Sequence, residues 1–147
     1  MGLEADVRRM ARTHPFDLLP REALQLIAFS CTKTVLKSGQ TLFVEGEPAD
    51  AAFFILSGEI DLTAPGAERR VGADSLIGGT ALITDIDRRA SARATQDLTV
   101  LRVPREVFRR VLSEFPQAAA EIRAAAAVRV RGLIDQLEAV RARSFEE

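Results

Sequence analysis

The stretch Leu42-Phe43-Val44-Glu45-Gly46-Glu47-Pro48-Ala49-Asp50-Ala51-Ala52-Phe53-Phe54-Ile55-Leu56-Ser57-Gly58-Glu59-Ile60 decides the fold. It reads as a strand, a Gly-Glu-Pro turn, a buried aromatic strand, a Ser-Gly turn and another strand. Around it, from Thr32 on, hydrophobicity alternates with a period of two. Short β-type runs fall at Thr34–Lys37, Thr41–Val44, Ala52–Leu56, Glu59–Thr63 and Arg69–Val71. Ser38-Gly39, Gly46-Glu47-Pro48, Ser57-Gly58 and Pro65-Gly66 punctuate them. After a Gly-rich interruption at 78–79, two further runs follow at Ala90–Ala94 and Thr99–Val103. Many short strands separated by turn dipeptides predict an antiparallel sandwich or barrel.

Helical periodicity flanks the strands on both sides. Leu3, Val7 and Met10 predict a short helix within residues 3–13. A Pro-flanked turn, His14 to Pro20, leads to a second helix. Pro20 is expected at its first position, with an apolar stripe of Ala23, Leu24, Ile27 and Ala28. Beyond the strands, Pro104 starts a helix that Phe115-Pro116 breaks, and a long segment runs from Gln117 to about Arg143. There Ala126, Val130, Leu133, Leu137 and Val140 fall at coiled-coil spacing. Two heptads fit a homodimer seam and fit packing on the chain's own β domain equally well. The expected class is α+β with segregated layers, in one domain over 1–147: helices in 1–30, strands in 31–103, helices in 104–143.

Composition bounds the function. One hundred and forty-seven residues, 47% apolar and 28% charged, make one ordinary globular core. No run approaches the roughly 20 apolar residues of a membrane span. The charged first twenty residues hold no signal-peptide core. The chain is therefore expected to be cytoplasmic. One cysteine and one histidine make neither an internal disulfide nor a structural zinc site. A net charge of −1 argues against DNA as a partner. That sum hides an asymmetry: residues 1–87 hold 8 basic and 13 acidic groups, residues 88–147 hold 12 and 8. Eighteen of the twenty basic residues are Arg, which a GC-rich genome explains and which also suits bidentate phosphate binding.

A second stretch carries chemistry: Gly78-Gly79-Thr80-Ala81-Leu82, followed by Arg88-Arg89-Ala90-Ser91. Two glycines opening a short turn let backbone amides approach an anion. An arginine some ten residues on can fold back and pair with the same anion through two parallel hydrogen bonds.

Together the two stretches resemble the cyclic nucleotide-binding domain shared by bacterial catabolite-activator-type regulators, cyclic-nucleotide-dependent kinases and gated channels. The resemblance covers roughly Phe16 to Leu137, including Phe16-Asp17-Leu18-Leu19-Pro20 and the turn glycines Gly39, Gly46 and Gly58. Residues 78–91 match the family's phosphate-binding cassette. The resemblance implies an antiparallel β-roll of eight strands, of the jelly-roll or double-stranded β-helix type, with helices before and after. It implies that Arg88 pairs with a cyclic phosphate, and that Gly78, Gly79, Thr80, Ala81, Leu82, Arg89, Ala90 and Ser91 complete the ligand site. It further implies that the C-terminal helix closes over the base as the signal. Arg89 stands where cGMP-preferring members place a hydroxyl, which favours cAMP over cGMP.

Gly79 departs from the pattern, standing where the family keeps a glutamate that accepts from the ribose 2′-hydroxyl. Losing a charged acceptor costs roughly 1.5–3 kcal/mol. Asp74, Asp85 and Asp87 are read as surface loop residues. The family's DNA-reading domain has no counterpart up to Glu147, so the expected protein is a stand-alone module, or a regulatory fragment of a larger one.

Enzymatic readings fare poorly. His14 beside Pro15 is a turn residue, Cys31 a small buried one, and Glu45 with Glu47 a solvated pair. No metal-ligand cluster or Walker-type loop is found. The leading expectation is a bacterial, non-enzymatic sensor for cAMP, with cGMP or a cyclic dinucleotide behind it. It needs no cofactor and no membrane, and signals through a homodimer over 117–143 or a protein partner. The competing expectation is a ligand-independent interaction module with the same fold.

Overall fold

The computed structural model describes residues 2–128. Two helices, α1 (Leu3–Met10) and α2 (Arg21–Ser30), precede ten strands, and α3 (Arg105–Glu114) follows them. Residues 116–128 are again helical. Of the predicted seam only Ala126 falls within this range; Val130, Leu133, Leu137 and Val140 lie outside the described residues.

The seven strands predicted from periodicity are present as β1 (Thr32–Leu36), β2 (Thr41–Phe43), β4 (Ala51–Ser57), β5 (Ile60–Ala64), β6 (Ala67–Val71), β9 (Ser91–Ala94) and β10 (Leu98–Pro104). Three further strands, β3 (Pro48–Ala49), β7 (Leu76–Ile77) and β8 (Ile86–Asp87), have two residues each. Two residues are too few to show a period. The strands form two four-stranded antiparallel sheets, ordered β1-β10-β4-β7 and β2-β9-β5-β6, and a two-stranded ribbon of β3 and β8. This is the expected antiparallel β-roll with flanking helices, with ten strands among the described residues where eight were expected.

The chain therefore stacks in three layers, and β4 lies in the middle one. Ala51 to Leu56 are all buried, so β4 shows no alternation in sequence. Phe53 and Ile55 enter the core between the sheets with Phe43, Ile60, Ala92 and Val100. Ala52, Phe54 and Leu56 point the other way, into a core shared with Val7, Met10, Phe16, Ile27, Phe108 and Ile122. The helical stripes supply that second core. Ala23, Leu24, Ile27 and Ala28 of α2 are all buried, as are Phe108 and Val111 of α3. Each fully buried Phe, Leu or Ile contributes about 1.5–3 kcal/mol.

Pro20 and Pro104 both occupy the position before their helix, with extended ψ of 155° and 139°. The helices start one residue later than predicted, because proline's fixed φ suits the capping position as well as the first turn. Glu22 and Glu106 then place negative charge at each helix's positive end.

Candidate functional site

The Gly46-Glu47 turn and the segment after β8 are stitched together at Arg88. Gly46 N donates to Arg88 O (2.8 Å) and Arg88 N donates to Glu47 O (2.7 Å). This pairing turns the Arg88 side chain inward. The side chain ends on two stacked rings: its guanidinium carbon is 4.3 Å from the Phe43 centroid and 5.5 Å from that of Phe53. Nη2 donates to Ala51 O at 2.8 Å. Arg88 is 8% exposed, and it is the one buried charged residue among the described residues.

No ion pair among the described residues involves Arg88. Burial pushes its guanidinium below the ordinary arginine range; Asp50 and Glu47 pull it back, and Arg102 and Arg105 push the same way as burial. The side chain remains a cation whose flat face is satisfied by the rings and whose edge has spare donors. Such a group asks for an anion.

Opposite the guanidinium lies the Gly78 turn. Gly78 has φ 70° and ψ 24°, the left-handed region, and leads into the 3-10 turn Gly79–Leu82. A Cβ on Gly78 would stand 2.6 Å from Arg88 Nη1. Glycine is thus required for both conformation and proximity. Both elements border a cavity of about 160 Å³. Gly78, Thr80, Ala81, Arg88, Arg89 and Ala90 of the predicted site line it, with Phe43, Leu62 and Asp87 among the other walls.

The other expected site residues, Gly79, Leu82 and Ser91, are not among the residues that line this cavity. Leu82 is 1% exposed and belongs to the helix-side core, because the turn faces its apolar end inward. Ser91 Oγ accepts from Glu45 N at 2.9 Å, so its hydroxyl holds the β2 end. Gly79 packs against Leu76, with 3.2 Å between Leu76 Cδ2 and a Cβ placed there. The amide of Ala81 is occupied as well, donating to Gly78 O at 3.0 Å.

Of the carboxylates read as surface groups, two have partners. Asp74, at φ 65°, accepts from Arg9 Nε at 2.6 Å, which ties α1 to the loop before the turn. Asp85 pairs with Arg105 at 2.6 Å. Sequence reasoning gave Arg105 no role; yet its side chain, 15% exposed, reaches the carbonyls of Ala81 and Ala49. Cys31 donates from Sγ to Ile27 O, and burial, with a lesser push from Asp6, raises the thiol to about 12. Among the described residues no group of His, Cys, Asp and Glu could hold a metal ion, and no helix is long and apolar enough to cross a membrane.

Comparison with known proteins agrees with this fold. A cyclic nucleotide-binding-like protein from Brucella abortus is 34% identical, with a TM-score of 0.68 over 74% of this chain and 98% of that one. The regulatory domain of Toxoplasma gondii PKA, solved with cAMP, has the same fold at TM-score 0.69 and 20% identity, over 74% of this chain and 44% of that one. A lysophospholipase from Chaetomium globosum is 28% identical over 125 residues, 81% of this chain and 8% of that protein. The chain thus spans about a tenth or less of the length of such relatives. The sequence profile of the cyclic nucleotide-binding domain matches residues 33–115, and the chain belongs to that family.

Proposed function

We propose that this chain is a non-enzymatic sensor that binds cAMP. Arg88 takes the cyclic phosphate, and the walls formed by Gly78, Thr80, Ala81, Arg89 and Ala90 surround it. The observation that carries the reading is a buried arginine, stacked on Phe43 and without a carboxylate partner among the described residues, set against a left-handed glycine at the wall of a cavity. At about 160 Å³ the cavity suits a phosphate and part of a sugar, so the base extends beyond it. The helices after Pro104 follow the occupied pocket and carry the signal to a second copy or a protein partner.

Isothermal titration calorimetry with cAMP and cGMP tests this directly. With no Trp or Tyr in the chain, heat is the practical readout. Wild type binds cAMP saturably, and Arg88→Ala, shown folded by circular dichroism, loses at least about 100-fold in affinity, as expected for a buried charge-assisted pair. No heat from wild type at millimolar ligand sinks the sensor reading.

A second reading is favoured by one observation. Gly79 offers no carboxylate to a ribose hydroxyl, and Leu76 fills the adjacent space. On that reading the fold is kept as an interaction module. Gly79→Glu separates the two. A working pocket gains about 10- to 150-fold in cAMP affinity once Leu76 yields a few tenths of an ångström; an interaction module gains nothing.

A further inference from the structure

Arg105 is the first residue of α3, and its side chain turns away from the helix toward the anion-binding turn. Nε donates to Ala81 O at 2.5 Å, Nη1 donates to Asp85 Oδ1 at 2.6 Å, and Nη2 donates to Ala49 O. The Arg105 backbone amide adds a bond to Asp50 O at 2.8 Å. One planar guanidinium thus joins four pieces of chain: the 3-10 turn, the loop behind it, strand β3 and the start of α3. Ala81 and Ala49 are themselves walls of the Arg88 cavity. Arg105 holds these walls from behind, and its outer face borders a separate, open depression with Asp50, Asp85 and Asp87.

The two carbonyl bonds matter more than the ion pair. Asp85's side chain is 84% exposed, so its attraction is screened by water. The carbonyls of Ala81 and Ala49 belong to buried residues and have fixed directions. A guanidinium presents donors in a rigid plane that meets several acceptors at once; an ammonium on a flexible stem cannot.

We propose that Arg105 is the positioning residue that makes the anion-binding turn and α3 move as one unit. The proposal rests on the reading of the Arg88 cavity as the ligand site. A ligand that draws the turn toward Arg88 pulls on Ala81, hence on Arg105, hence on the first turn of α3. By reciprocity, a partner that shifts α3 changes affinity in the cavity by the same factor. Leu82, Phe108 and Val111 share one core beneath the clamp and supply bulk contact, while Arg105 supplies direction.

Hydrogen exchange of the 147-residue chain, with and without cAMP, tests the coupling in wild type, Arg105→Met, Arg105→Lys and Asp85→Ala. In the ligand-free protein Arg105→Met accelerates exchange about tenfold in 79–87 and in 106–110 together, leaving the β5–β6 hairpin unchanged. Arg105→Lys restores less than half of the protection, and Asp85→Ala changes it less than twofold. With cAMP, protection in wild type extends from 78–91 into α3; in Arg105→Met it stops at the turn. A Met variant that loosens only 106–110, or that still passes cAMP protection to α3, overturns the proposal. So does full rescue by Lys. Should wild type show no cAMP response at all, the ligand reading fails and the ligand-free comparison decides the clamp alone. Should the Met variant not fold, the Lys variant carries the same comparison.

Discussion

The turns at Gly58 and Gly78 use the same backbone trick for different ends. Both glycines adopt left-handed φ, 93° and 70°, and both leave no room for a Cβ. At Gly58 the neighbour is backbone: a Cβ would clash with Asp97 O and stand 3.0 Å from Leu98 Cα. At Gly78 the neighbour is the far end of a side chain, Arg88 Nη1. Backbone in a packed sheet cannot retreat, whereas a guanidinium can. The first turn therefore holds the roll together, and the second holds the proposed binding group in register. The same substitution at the two sites should separate stability from binding.

Gly58→Ala should show the larger effect on the fold. Strain in the left-handed region of about 1–3 kcal/mol adds to the clash with the β9–β10 connection. At about 3 °C per kcal/mol for a chain of this size, thermal denaturation should fall by about 10 °C or more. Gly78→Ala should lower it by about 3–9 °C, the strain part alone, because Arg88 can swing aside. Calorimetry should then find cAMP binding weakened at least about tenfold in Gly78→Ala and unchanged in whatever Gly58→Ala remains folded. Equal melting temperatures for the two variants would break the comparison.

A smaller effect comes from the helix side of the molecule. Burial holds the Cys31 thiol protonated to about 12, above its ordinary value of 9.0. The folded chain thus keeps a proton that the unfolded chain loses near pH 9. Stability from this group is complete below about pH 9 and declines as pH rises toward 12, by at most about 1.4 kcal/mol per pH unit. The chain has two Lys and no Tyr, so few other side chains change charge in that window. Urea denaturation at pH 8 and pH 10.5 should show the decline in wild type and a shallower one in Cys31→Ala.

The sequence was most legible where one face of an element is buried. The α2 stripe and the alternation in β5 and β10 gave their elements directly. It was less legible at β4, whose unbroken Ala51–Leu56 run reflects burial on both faces, and at β3, β7 and β8, where two residues carry no period. Arg88 could be singled out because a glycine pair precedes it at a set distance. Arg105 could not, because its acceptors are backbone carbonyls 24 and 56 residues away, which no side-chain pattern announces. Leu82 makes a related point: membership of a short motif does not say which way a side chain in a 3-10 turn points, and this one is buried.

The seating of Arg88 has a kinetic consequence. Its backbone is bonded on both sides to the Gly46-Glu47 turn, and its guanidinium already lies between Phe43 and Ala51 O. On the proposed reading, an arriving anion meets a receptor whose rotamer freedom has been spent during folding, so little further ordering opposes capture. Encounter then runs at the pace of diffusion and electrostatic attraction. How long the ligand stays, and with it the duration of any message passed to α3, is left to the walls of the cavity.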